Sequence, residues 1–188
     1  ILPQALYLWQ WQSARLLQRQ GDSNAAIDAY RNAIRTLQTV RNNIAPPAGG
    51  APDRFRETAA PLYFELADLL LERARDREDI NAAETDLLEA RDQIESLKAT
   101  ELQDYFQDDC VTELQSRTVR LEQVRGRTAI LYPIMLRDRL ELLLSLPDGM
   151  KQFTIDIPAE HITSEVRAFR ALLEKRTTHQ YLRNAMQL

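Results

Sequence analysis

Three side chains in this sequence carry reactive chemistry: one cysteine, Cys110, and two histidines, His161 and His179. A thiol beside an imidazole can be a nucleophile, because the histidine takes the proton and leaves a thiolate. Cys110 is poorly sited for that. Asp108 and Asp109 directly precede it, and nearby negative charge disfavours the thiolate. A half-buried structural cysteine is the expected reading, and no peptidase activity is expected of this segment. A metal site needs three or four convergent ligands. The histidines are separated by the whole stretch 162–178 and have no cysteine ligand near them. His161 is expected in the first turn of a helix and His179 on a surface linker. No catalytic residue, metal or cofactor is therefore expected.

The remaining candidates are binding surfaces. Arg117, Arg120, Arg125 and Arg127 form a basic stretch, but Glu113 and Glu122 interleave with it. Aromatic residues for stacking bases are absent from it. It reads as a solvated helix face. The net charge of −4 also argues against a nucleic-acid partner. Tyr7, Trp9 and Trp11 could line a peptide groove, but aromatic residues in helical repeats more often pack between helices, and that is the expectation for both tryptophans. Residues 42–53 hold Pro46, Pro47, Gly49, Gly50 and Pro52 without a phosphate-loop pattern, so they read as a connector. No apolar run reaches the roughly 18 residues needed to span a bilayer, so no membrane partner is expected. One cysteine excludes an internal disulfide.

The elements around these residues are better defined. In Q-G-D-S-N-A-A-I-D-A-Y-R-N-A-I (20–34), Gly21 separates two helices, at 5–19 and 23–42. Asp22 or Ser23 can cap the second. Ala26, Tyr30 and Ala33 follow at spacings of four and three. Ala14 and Leu17 precede the glycine, where the first helix wants a small and a large apolar residue. This pattern resembles a tetratricopeptide repeat, in which small residues allow close helix contact. A second pair follows at 55–76 and 79–98. There Ala67 stands for Ala14, and Ala83, Leu87 and Ala90 repeat the four-then-three spacing. The turn D-R-E-D carries about four extra residues. Pro61 either kinks its helix or sits in the first turn. Further helices are expected at 101–107 and 112–124.

The period changes near Gly126. Residues 128–136, 139–146 and 151–157 are rich in strand formers or alternate apolar with polar side chains. Leu140, Leu142, Leu144 and Leu146 share one face. Pro147-Asp148-Gly149 is a turn signal, so the three strands should form an antiparallel meander. Pro133 calls for an edge or a bulge. Helical spacing returns at 158–176 through Ala159, Ile162, Val166, Phe169 and Leu173, and again at 179–188. The expected fold class is mainly α with a small α+β part. Antiparallel tetratricopeptide-like hairpins occupy 1–125, and a three-stranded meander with one or two helices occupies 126–188. The apolar strand faces and open edges call for cover, so self-association through the strand region is expected.

Four segments make the layout similar to bacterial CHAT proteins, in which a caspase-like domain follows tetratricopeptide repeats. They are E-L-A-D-L-L-L-E-R-A (65–74), L-L-E-A-R-D-Q-I-E-S-L-K (87–98), E-L-Q-D-Y-F-Q-D-D-C (101–110) and L-Y-P-I-M-L-R-D-R-L-E-L-L-L-S-L-P-D-G (131–149). The resemblance implies that 126–188 opens an incomplete caspase-like domain whose catalytic histidine and cysteine lie further downstream. A chain that starts at Ile1 rather than Met agrees with a piece of a longer protein. The expected function is a protein–protein interaction scaffold whose partner is a protein or peptide, the regulatory arm of a larger CHAT protein. The alternative is part of a caspase-like cysteine endopeptidase.

Overall fold

The turn at Gly21 sets the first helical pair. Gly21 adopts φ 82°, a conformation that costs a residue with a Cβ but not glycine. Its N–H donates to the Gln18 carbonyl at 3.0 Å, and the Asp22 N–H donates to that of Leu17 at 3.1 Å. These two bonds close the end of helix α1 (Pro3–Arg19). Asp22 then caps α2 (Ser23–Asn43), its Oδ1 accepting from the Ala25 N–H at 3.0 Å. Ser23 is the first helical residue instead.

This computed structural model describes residues 3–43, 53–106 and 128–175. After α2 come α3 (Asp53–Asp76) and α4 (Ile80–Phe106), joined by a short turn in which Asp79 caps α4. Pro61 lies inside α3, beyond its first turn. The helix expected separately at 101–107 is the end of α4. The stretch S-L-K-A-T-E-L-Q-D-Y-F contains neither glycine nor proline, so nothing stops the helix there. The helix expected at 112–124, the segment 179–188 and the boundary expected at 125–126 lie outside the described residues.

Strands β1 (Ile130–Met135), β2 (Leu140–Leu146) and β3 (Gly149–Ile155) form an antiparallel sheet in the order β1-β2-β3. Pro133 pairs with Leu142 on the edge strand β1, where a missing N–H does least harm. The β2–β3 turn is Pro147-Asp148, followed by Gly149 at φ 130°. Helix α5 (Ala159–Glu174) comes last and contains no buried residue. The fold is mainly helical with one small antiparallel sheet.

One apolar cluster runs through the molecule. It joins Trp11, Ile27 and Tyr30 of the first pair to Leu62, Leu66 and Leu70 of α3, Leu87 and Ile94 of α4, and Ile134 and Leu143 of the sheet. The sheet docks on the helices with an unexpected face. Leu140, Leu142 and Leu144 alternate with Glu141 and Leu143, and the latter two are fully buried. The leucine-rich face is turned away from the core, with Leu140, Leu142 and Leu144 half-buried and Leu131, Met135 and Phe153 of the neighbouring strands exposed.

Candidate functional site

The repeat-signature residues are where close packing needs them. Ala14, Ala26, Tyr30, Ala33, Ala67 and Ala90 are completely buried and Leu87 nearly so, while Leu17 and Ala83 pack against the same core from its margin. Gly21 forms the turn. Alanine at these positions brings two helix backbones together, and ring-bearing Tyr30 fills the space beside α3. Trp11 packs inward as expected. Trp9 does not; it projects from α1 into solvent, because it lies on the opposite side of the helix from Ala14.

Polar ties fix how the hairpins stack. Glu65 of α3 is the hub. It accepts from Trp11 Nε1 at 2.7 Å, from Arg15 Nε and Nη2 at 2.9 and 2.5 Å, and from the Tyr30 hydroxyl at 3.1 Å. Burial pushes its carboxyl up, but the hydrogen bonds from Arg15 and Trp11 outweigh that and hold it below the usual carboxylate range. Burial and the facing Glu65 raise the Tyr30 phenol. Arg31 of α2 forks onto Glu89 of α4 at 2.7 and 2.5 Å. Arg73 forks onto buried Asp86 at 2.9 and 2.6 Å and donates to Asn24 at 2.9 Å. Arg77 joins Asp86 at 2.7 Å. Paired forks of this kind fix orientation as well as distance.

A second polar cluster seats the sheet on α3 and α4. Glu141 accepts from Arg139 Nε at 2.6 Å, Thr154 Oγ1 at 2.9 Å and Gln152 Nε2 at 3.0 Å. Arg139 reaches across to Asp68 of α3. Gln152 also donates to the Leu71 carbonyl at 3.2 Å, and the Met150 N–H to Glu84 at 3.1 Å. At the other edge, Tyr132 donates to Glu95 and accepts from Lys98, whose ammonium lies 4.4 Å from the ring centroid. Burial raises both Asp68 and Glu72, with neighbouring acids adding to it. Arg139 is desolvated, yet Glu141 and Asp68 keep its guanidinium firmly protonated.

The two clusters are related. Arg15 follows Ala14 and pairs with the incoming Glu65; Asp68 follows Ala67 and pairs with the incoming Arg139. The sheet thus takes the place on the second hairpin that α3 takes on the first, with the charges exchanged. None of these charged residues stood out in the sequence. Glu141 in L-E-L-L-L-S-L looks like an ordinary solvent-facing residue, and Glu65 sits in an unremarked part of a helical stripe.

His161 is exposed in the first turn of α5, its N–H donating to the Pro158 carbonyl. Cys110, His179, the arginines at 117–127 and the connector at 44–52 lie outside the described residues. Among the described residues no group of three His, Cys, Asp or Glu side chains could hold a metal ion, and no helix is long and apolar enough to cross a membrane. What the geometry provides is a helical stack tied to a sheet by a shared apolar core, hydrogen bonds and ion pairs. Comparison with family models, curated proteins and solved structures finds no match to this chain.

Proposed function

We propose that this chain is a protein-binding scaffold of tetratricopeptide-like repeats and the regulatory arm of a larger CHAT protein. The carrying observation is the pair of hairpins stacked through α3, with the small residues Ala14, Ala26 and Ala33 fully buried in one and Ala67 and Ala90 in the other. Stacked hairpins offer an extended surface for a peptide or a neighbouring domain. In this reading the meander begins the caspase-like domain, and the catalytic histidine and cysteine belong to the polypeptide beyond it. The polar seat formed by Asp68, Arg139, Glu141 and Gln152 supports a coupling role, since contacts between parts of a chain that move are more polar than permanent ones. Partner binding on the helices would then be transmitted to the sheet through Arg139. The coding sequence beyond Leu188 tests the family half of the proposal. A histidine-glycine motif followed by a strand ending in cysteine is the expected result; a continuation without either would overturn it.

A further inference from the structure

The joint between α3 and the sheet holds more negative charge than its cations balance. Asp68 and Glu72 face it from one side, a turn apart on α3, and Asp138 and Glu141 face it from the sheet. Against these carboxylates stand two guanidiniums, Arg139 and Arg75. Arg139 pairs with Asp68, Asp138 and Glu141 at once, and Arg75 is 4.0 Å from Glu141. Glu72 has no ion pair among the described residues. From the first hairpin, the phenol of Tyr30 lies within reach of the Asp68 charge and stays neutral. Glu84 of α4 meets the sheet elsewhere, at the Met150 N–H. Burial is the main cause that raises Asp68 and Glu72. Asp138 and Glu141 across the joint raise Asp68 further, and Asp68 and Asp138 do the same to Glu72, with Arg139 opposing both. The sheet therefore supplies part of what disfavours charge on α3.

We propose that this joint is a proton-sensitive latch: mild acid tightens the sheet on α3, and neutral conditions loosen it. A proton on Asp68 or Glu72 removes one of the surplus charges. Protonated Asp68 still accepts from Arg139 through its carbonyl oxygen, so the bond across the joint survives. Arg139 itself stays protonated. Lifting the sheet returns both carboxyls to water and to ordinary values, so the docked state binds protons more readily than the lifted one. Docking gains strength as pH falls from 7 toward the ordinary carboxylate values, and gains no more below them. The latch acts on the joint alone, whatever the helices bind.

Hydrogen exchange read by mass spectrometry on the full chain, corrected for the intrinsic pH dependence of amide exchange, tests the latch. Between pH 7 and pH 5, protection of residues 140–155 should rise at least about twofold, while that of 23–37 in α2 changes less. Asp68→Asn/Glu72→Gln should abolish the pH dependence and hold the sheet at pH 7 as tightly as the parent holds it at pH 5, with far-UV circular dichroism unchanged. Glu72→Gln alone, at an exposed position, should remove part of the rise without touching the Asp68–Arg139 pair. Protection that falls or stays level in acid, that rises equally in α2, or that keeps its full pH dependence in these variants would overturn the proposal.

Discussion

Replacing Arg139 by Met should uncouple the sheet from the helices. Arg139 is the main cation for Glu141, a fully buried carboxylate, and it also holds Asp68. Removing one partner of a buried ion pair costs about 3–5 kcal/mol, because the other charge stays desolvated and unpaired. Arg75 stands 4.0 Å from Glu141 and can take over part of the role, and Gln152 and Thr154 still donate to it. The lower end, about 3 kcal/mol, is therefore expected. That is a large share of the roughly 5–15 kcal/mol that stabilises a typical domain. Urea denaturation followed by circular dichroism measures it. The double variant Arg139→Met/Glu141→Gln keeps an acceptor for Gln152 and Thr154 but carries no buried charge, so it should recover more than half of the loss. If Arg139→Met costs under about 1 kcal/mol, or the double variant is worse than the single, the buried-charge argument is wrong.

Other expectations follow from the same structure. Ala26→Trp or Ala33→Trp overfills the contact between α1 and α2 and should cost at least about 1–3 kcal/mol, lowering Tm by several degrees; an unchanged melt would refute the close packing. Gly21→Ala meets no neighbouring atom, yet its φ of 82° should cost roughly 1–2 kcal/mol, so equal stability in denaturant titration would contradict the left-handed turn. Stability should rise slightly as pH falls from 7 toward 5. Asp68 and Glu72 have raised values in the fold, so the native state takes up protons there more readily than the unfolded chain. Glu65 is lowered, so its contribution is present above the ordinary carboxylate value and is lost as pH drops below it. Thermal melts showing a steady fall between pH 7 and 5 would contradict this sign.

The helical pairs were legible because their signals are local. Gly21, Asp22 and the spacing of Ala26, Tyr30 and Ala33 each act within one turn of helix, and all are used as read. The strands were legible for the same reason, with Pro133 on an edge and Pro147-Asp148 in the turn. What escaped depends on partners distant in sequence. The leucine alternation in β2 marks two faces but cannot say which one meets α3, and the choice falls to the face with Glu141 because Arg139, Gln152 and Thr154 satisfy that carboxylate. Trp9 reads as packing material because it is aromatic, but among the described residues its side of α1 is exposed. The join of 101–106 to α4 shows that lost apolar period does not end a helix when no breaker is present.

The proposed function requires the helical stack to bind a protein or peptide segment. Selection of a randomised peptide library on the chain, with the enriched peptides then titrated by fluorescence anisotropy, tests it most directly. Enriched peptides should converge on a shared motif with Kd below about 100 μM. Binding should be lost when Ala33→Trp opens the stack and kept when Val166→Glu alters only the exposed face of α5. No enrichment, or binding that survives Ala33→Trp and disappears with Val166→Glu, would contradict the claim.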